Sequence, residues 1–479
     1  VKTAVTTKPK EIAPFANDRL MFGKIRKLYF VGIGGSGMSG IAEILHNLGF
    51  EISGSDQTAS DLTRYLAERG LRIHEGHDAA HLGDAEVVVI SSAVGEANPE
   101  VVEARRRGIP VIKRAEMLGE LMRLKYSIGV AGTHGKTTTT SMIGRILQSG
   151  GLKPTIIVGG IVAELGTGAS LGEGEYLVAE ADEFDRSFLA MFPTMAVVTN
   201  LEADHLDCYR GLDDLGHAFL TYMNRVPFFG SVVLSADNAQ LMQMRDRLAR
   251  PYVTFGFSVE ADYRAVEVRL EPGRSVFSLY RRGQYLGDIL LRVPGRHNVA
   301  NALAAAAACT ELGVPFELIA DGLRGFTGVG RRFEIVGEAG GVTVVDDYAH
   351  HPTEVEATLR TARDVYGRRV IVVFQPHLFS RTRDFADEFA QALAIADQCL
   401  LVDIYPAREK PMPGVTADLI REKAAARGLG QFTCIGERQN AAREVVQRAQ
   451  PGDIVITMGA GSITLERKNI LEALRERWG

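Results

Sequence analysis

Gly132-Thr133-His134-Gly135-Lys136-Thr137-Thr138 sets glycines, a lysine and hydroxyls between an apolar run, Tyr126 to Val130, and a helical pattern from Ser141 to Leu147. A strand, a glycine-rich turn and a helix start make an anion site, because successive backbone N–H groups and the helix dipole point at one place. Lys136 adds a mobile cation for the outer phosphates of a nucleotide, and the Thr137 hydroxyl is placed to ligate Mg²⁺. The spacing is shorter than the standard phosphate-loop expression, which asks for glycine where Val130 stands. The plain alternative is an ordinary strand–turn–helix.

Two later strand-like runs end in groups that could serve such a loop. Tyr176–Ala179 leads into Glu180-Ala181-Asp182-Glu183-Phe184-Asp185, and Met195–Thr199 leads into Asn200-Leu201-Glu202-Ala203-Asp204-His205-Leu206-Asp207. In an open parallel sheet, ligands sit outside the carboxyl ends of the strands. The loop, the acidic cluster and His205 can therefore face one site, with Glu180 and His205 as ligands for Mg²⁺ or Mn²⁺. Taken singly, a solvated loop and a satisfied histidine explain them as well.

A second glycine loop, Gly32-x-Gly34-x-x-Gly37, follows the apolar run Lys27–Val31, and Asp56 closes the next strand. Read literally, this is the dinucleotide fingerprint and predicts a nicotinamide or flavin enzyme. Physically it is less specific: glycines admit any diphosphate, and a carboxylate can accept from any ribose hydroxyl. Further on, His297, Asn298 and Asn301 open an Ala-rich helix, Ala302–Leu312, where the amides either read a base edge or cap the helix. Arg381 and Arg383 either hold a carboxylate as a bidentate pair or pair with Asp384 or Asp387 at a helix entrance.

The elements that must position these groups alternate strand and helix. Buried-type strands fit Lys27–Val31, Phe50–Ser53, Val87–Ile90 and Pro110–Ile112, with helices at Leu62–Arg69 and Glu100–Arg107. From Tyr263 the period changes: Val266–Leu270 and Ser275–Leu279 alternate about Pro272-Gly273 as an antiparallel hairpin, followed by a strand at Gly287–Val293. After Gly328–Arg332, strands at Val342–Val345, Val370–Phe374, Cys399–Ile404 and Ile454–Thr457 alternate with helices at Glu354–Arg363 and Asp384–Ala396. The expected fold class is α/β with mainly parallel sheets.

Composition bounds the rest. A chain of 479 residues is long for one core and suggests about three domains. With 46% hydrophobic and 24% charged residues it can bury a sizeable core, and a net charge of −5 gives no reason to expect nucleic acid. Four scattered cysteines without a Cys-x-x-Cys pair fit a reducing compartment. No apolar stretch approaches a membrane span, and Val1 to Asp18 reads as a frayed polar tail without a signal-peptide core. Together these predict a cytoplasmic protein with no membrane insertion.

The ordered motifs resemble the Mur ligases, the ATP-dependent amino-acid ligases that build the peptidoglycan stem peptide. The resemblance rests on residues 131–139, 179–185, 200–207, Gly-Arg-His-Asn-x-x-Asn-Ala at 295–302, Gly-Arg-Arg-Phe-Glu at 330–334, Asp-Asp-Tyr-Ala-His-His-Pro-Thr-Glu at 346–354 and Gln-Pro-His-Leu-Phe-Ser-Arg-Thr-Arg-Asp at 375–384. It implies three domains: a Rossmann-like UDP-sugar domain (1–124), a phosphate-loop ATPase with an antiparallel addition (125–328), and a Rossmann-like domain completing the nucleotide and amino-acid sites (329–479). Gly34, Gly35, Ser36, Gly37, Met38 and Ser39 would hold a UDP diphosphate, with Asp56 and Arg114 nearby. Gly132, Thr133, His134, Gly135, Lys136, Thr137 and Thr138 would bind ATP, with Thr137, Glu180 and His205 positioning metal. Asn298 and Asn301 would contact adenine, and Arg332 and Asp347 the rest of the nucleotide. His350, His377, Arg381 and Arg383 would border the amino-acid pocket.

The N-terminal loop and the last two motifs look most like the family's first member, which implies UDP-N-acetylmuramate and L-alanine as substrates. The implied chemistry is carboxylate activation by ATP to an acyl phosphate, followed by attack of the amine. Lys136, His134, Glu180 and His205 would be catalytic. Two departures stand out: Phe184 replaces a usual small Ser, and no lysine lies between Asp207 and Arg225, where later family members carry a carbamylated one. The alternatives are a ligase joining a peptide or other amino acid to the same UDP-sugar, a nicotinamide-dependent oxidoreductase, and a non-catalytic nucleotide switch.

Overall fold

The computed structural model describes residues 22–91, 93–159, 169–203, 208–407 and 409–478. The tail 1–18 and His205 lie outside them. The chain divides into two compact units, 1–125 with the short segment 169–171, and the remainder.

In the first unit, Arg72–Glu75, Glu51–Asp56, Lys27–Val31, Val87–Ile90 and Val111–Lys113 neighbour one another in that order, all parallel. Lys27–Val31 sits between strands reached by opposite excursions. The crevice of a doubly wound sheet therefore opens at its carboxyl end, where Gly32 begins. Leu28, Tyr29, Phe30 and Val31 are buried, as expected of a strand covered on both faces. Helix Ser36–Asn47 starts directly after the glycines. Arg-Ile-His-Glu offers a single apolar residue, so no local pattern marks Arg72–Glu75 as a strand.

The second unit carries two sheets. In one, Thr155–Ile157, Tyr176–Glu180, Tyr126–Ala131, Met195–Val198, Ser231–Ser235 and Tyr252–Gly256 run parallel in that order. It continues through Tyr263–Glu271 into the expected hairpin, with Arg274–Arg281 and Gln284–Leu291 antiparallel. Helix Arg296–Glu311 lies against helix Lys136–Ser149, and its Ala302 and Ala304–Ala308 are wholly buried. Methyl-sized side chains let the two helices approach closely, which brings the amide-bearing first turn of one to the glycine turn of the other.

The last sheet orders Glu334–Ala339, Val342–Asp347, Ile454–Met458, Val370–Phe374, Gln398–Val402 and Phe432–Gly436, with only the first pairing antiparallel. The helix expected over 384–396 is two, Phe379–Asp384 and Ala386–Leu393, broken at Phe385. The α/β architecture of three mainly parallel sheets agrees with the expectation. No helix among the described residues is long and apolar enough to cross a membrane.

Candidate active site

Strand register fixes the centre of the second unit. Val130 pairs with Glu180 and Ala131 with Val198, so Gly132, Glu180 and Thr199 emerge at one sheet edge. Gly132 and Gly135 have φ of +137° and +81°. A Cβ at Gly132 would strike the Thr199 hydroxyl, and one at Gly135 the Asn301 amide oxygen. Thr199 Oγ1 donates to the His134 carbonyl at 2.5 Å, and Asn200 exchanges two bonds with the His134 backbone at 2.9 and 3.1 Å. The loop is thus held open from its neighbouring strand, with helix Lys136–Ser149 starting at its end.

Lys136, read from the sequence as a mobile cation, is held here by backbone and carboxylate oxygens. Its Nζ donates to the Gly132 carbonyl at 2.8 Å and to both Glu183 oxygens at 2.8 and 3.0 Å, with Asp182 at 3.7 Å. Burial alone would lower the ammonium pKa, but the nearby Glu183 and Asp182 charges outweigh it and raise it. Burial pushes the Glu183 carboxyl up to about 7, against the pull of Lys136. Glu183 is one of four acidic residues in the motif 180–185, and nothing in their spacing marks it out. Only tertiary contact reveals it as the lysine's partner.

Glu180 behaves differently. Its carboxylate accepts from the Gly159 N–H at 2.9 Å, and burial raises its pKa against the opposing pull of the neighbouring Thr137 hydroxyl and that N–H. Its Oε1 is buried with no hydrogen-bond partner among the described residues. An unsatisfied carboxylate oxygen beside a helix-start hydroxyl is the hard-oxygen donor set that a Mg²⁺ ion takes, so the residues present fit the metal.

His134, Gly135, Thr138, Asn298, Asn301, Arg332 and Asp347 line a cavity of about 170 Å³, which opens beside a larger one of about 590 Å³ bordered by Lys136, Thr137, Glu180 and His350. Asn298 Nδ2 donates to the Pro294 carbonyl at 2.7 Å, so its amide stabilises the helix entrance while it lines the cavity. Thr139 donates to Asn301 Oδ1 at 3.3 Å. Asp347 accepts from the Phe333 and Ala349 N–H groups, both at 2.7 Å, pinning a turn in which Arg331 and Phe333 have positive φ. Burial pushes the Asp347 carboxyl up to about 6, opposed by Arg332.

The His134 ring is gripped rather than free. Its Nδ1 lies 3.2 Å from Glu354 and its Nε2 3.5 Å from Glu202. Burial would lower its pKa, yet Glu354 and Glu202 together lift it to about 9. Glu354 also lies 3.4 Å from Arg332 and 3.2 Å from His350, and burial does not prevent these cations from holding it well below the usual carboxylate range. Glu354 closes the motif 346–354, but its role as the acceptor for three cations arises only from the tertiary packing.

His350 and His377 come together, with ring centroids 5.8 Å apart, and His377 stacks on Tyr405. The two arginines do not form a fork. Arg381 is buried, whereas Arg383 is exposed and binds Asp384 at 2.7 and 3.0 Å. Two residues apart on a helix, side chains point to nearly opposite sides. The bidentate reading of the pair is therefore corrected to the helix-entrance pairing for Arg383.

In the first unit, Gly34 N–H donates to Asp56 Oδ2 at 2.8 Å, so that carboxylate oxygen organises the loop instead of standing free for a ribose. Gly35 precedes the helix, Met38 and Ser39 are buried, and the Arg114 guanidinium lies against Gly37. Ser36 begins the helix.

A phosphate loop flanked by an acidic strand end, in a chain of three α/β sheets, defines a phosphate-loop nucleotide-binding protein. Sequence models of the Mur ligase family catalytic domain, the Mur ligase middle domain and the Mur ligase glutamate ligase domain match residues 27–126, 130–309 and 331–461. The chain belongs to the Mur ligase family. It is 50% identical to the UDP-N-acetylmuramate–L-alanine ligase of Geotalea daltonii over 95% of this chain and 100% of that relative. Among solved structures, the UDP-N-acetylmuramate-alanine ligase of Thermotoga maritima superposes with a TM-score of 0.78 at 28% identity, covering 94% of this chain and 99% of that one. A murein peptide ligase from Psychrobacter arcticus follows with a TM-score of 0.67 at 25% identity, covering 94% and 98%.

Proposed function

We propose that the protein joins L-alanine to the carboxylate of UDP-N-acetylmuramate at the expense of ATP, releasing ADP and phosphate, as a cytoplasmic step of peptidoglycan precursor synthesis. The observation that carries this reading is the joint one of the site. A phosphate loop, the Thr137–Glu180 oxygen set and the Lys136 cation share one sheet edge, in a chain half identical along its length to a relative of that name. Residues 1–124 serve the UDP-sugar, 125–328 the ATP, and 329–479 complete the nucleotide and amino-acid sites. Family membership sets aside the nicotinamide reading of the Gly32 loop, whose glycines serve a UDP diphosphate equally well.

An amide cannot form directly from a carboxylate, which is a poor electrophile. The substrate carboxylate oxygen attacks the ATP γ-phosphorus, the bond to the bridging oxygen breaks, and ADP leaves. Two anions approach in that step. The loop N–H groups and Lys136 stabilise the charge on the transferring group, and Lys136 reaches it by exchanging Glu183 for phosphate oxygens. Thr137, Glu180 and, from sequence, His205 would hold Mg²⁺, which supplies Lewis-acid neutralisation when bound. The alanine amine then attacks the acyl carbon, and the tetrahedral intermediate expels phosphate. Asn298, Asn301 and Arg332 orient the nucleotide; His350, His377 and Arg381 border the amine's pocket.

Phosphate release with UDP-N-acetylmuramate, with and without L-alanine, tests the reading. Release that requires both co-substrates and yields the alanyl product is expected. Preference for a tripeptide in place of alanine, or release independent of the UDP-sugar, overturns it.

A further inference from the structure

Away from the ATP site, the first unit buries a carboxylate with an unusual set of partners. Glu100, wholly inaccessible, lies in the first turn of helix Pro99–Arg106. Its Oε1 accepts from the Tyr29 hydroxyl at 2.8 Å and lies 3.4 Å from His81 Nδ1. Its Oε2 accepts from the Ser55 hydroxyl at 2.7 Å and lies 2.9 Å from His77 Nδ1. A buried carboxylate is costly unless fully hydrogen-bonded, and here four side chains from three other segments converge on it.

Those partners lead directly to the glycine loop. The Ser55 carbonyl accepts from the Gly32 and Ile33 N–H groups at 2.9 and 3.0 Å. The next residue, Asp56, accepts from Gly34 N–H through its side chain and from Gly76 N–H through its carbonyl, both at 2.8 Å. Gly76 precedes His77, which Glu100 also holds. Glu100 therefore grips both chain segments that fix Asp56, and Asp56 with Ser55 sets three successive amides of the loop.

We infer that Glu100 is a positioning residue for UDP-sugar binding: through Ser55 and His77 it holds the Ser55-Asp56 strand end that shapes the diphosphate loop. The inference rests on the reading that Gly34–Ser39 hold the UDP diphosphate. A role in packing alone would lower thermal stability and the active fraction, hence the apparent kcat, while leaving affinities unchanged. A positioning role moves the UDP-sugar affinity, whatever it does to stability, and leaves KM for ATP and kcat at saturating UDP-sugar unmoved.

Calorimetric binding of UDP-N-acetylmuramate to the full chain, with steady-state kinetics, separates these in Ser55→Ala, Glu100→Gln and Gly34→Ala. In the last, the new Cβ would sit 2.9 Å from Asp56 Oδ2 and 2.8 Å from Thr63. Expected for Ser55→Ala and Glu100→Gln is a Kd for UDP-N-acetylmuramate raised roughly ten- to a hundredfold, with KM for ATP and kcat at saturating UDP-sugar unchanged. Should Glu100→Gln fail to fold, Ser55→Ala, which deletes one oxygen, carries the test. An unchanged Kd in both, while Gly34→Ala weakens binding, overturns the role of Glu100 and spares the loop reading. If Gly34→Ala also leaves Kd unchanged, the loop reading itself falls and takes the inference with it.

Discussion

Lys136 and Glu183 allow stability and catalysis to be separated at one contact. The ammonium touches both carboxylate oxygens, at 2.8 and 3.0 Å, and the Glu183 side chain is 1% exposed. Removing one partner of such a pair leaves the other charge buried, and the orphaned carboxyl takes up a proton rather than stay charged. With Glu183 near 7 in the wild type, Lys136→Met should therefore destabilise the ligand-free protein by about 1–2 kcal/mol at pH 8, one pH unit above that value. Glu183 already titrates near 7 because of burial, and without Lys136 its folded value rises further. A carboxyl raised above its unfolded value contributes stability that is present at acid pH and lost as pH rises through the folded value. The deficit of Lys136→Met should accordingly shrink towards pH 5 and grow towards pH 8. Lys136→Met/Glu183→Gln removes both charges and should recover most of the loss, while turnover stays down by at least about a hundredfold for want of the cation. Denaturant midpoints at pH 5 and 8, with phosphate release on the same preparations, measure both quantities. If Lys136→Met is as stable as wild type at pH 8, or if the two substitutions simply add, Lys136 does not neutralise Glu183 in the ligand-free protein.

Other contacts give shorter tests. Glu180→Gln should raise the Mg²⁺ concentration for half-maximal activity at least tenfold, and an unchanged activation curve would remove Glu180 as a ligand. His134 is held up at about 9 by Glu354 and Glu202. Its contribution, up to about 3 kcal/mol, is present below pH 6.5 and lost as pH rises through 9, so His134→Asn should flatten the fall in ligand-free stability over that window. Gly135→Ala forces a Cβ at φ +81° against Asn301 and should raise KM for ATP while sparing UDP-sugar binding. Arg381→Ala should raise KM for alanine, whereas Arg383→Ala, at an exposed pair with Asp384, should leave it unmoved; equal effects would restore the bidentate reading.

Local pattern carried far in this chain where one segment holds the whole feature. The phosphate loop, the Gly32 loop, the Pro272-Gly273 hairpin and the Ala-rich helix were legible because each declares itself within about a dozen residues by glycine spacing, period or composition. Strands such as Ser231–Ser235, Tyr252–Gly256 and Phe432–Gly436 went unread. Short apolar runs gain strand character only from the neighbours they pair with. Glu180 was found because a strand end can be counted, and Val130 pairs with it in the structure.

What the sequence determined by itself was the set of reacting parts: two glycine loops, a lysine, a strand-end carboxylate and the ordered motifs of an ATP-dependent ligase. The tertiary structure decided which charges face one another. Lys136 meets Glu183, His134 lies between Glu202 and Glu354, Asp56 holds the Gly34 amide, and Arg381 parts from Arg383. Ion pairs between residues tens or hundreds apart leave no local periodicity. A buried charge must be matched by whatever the packing brings to it, and that is settled only when the strands and helices close around it.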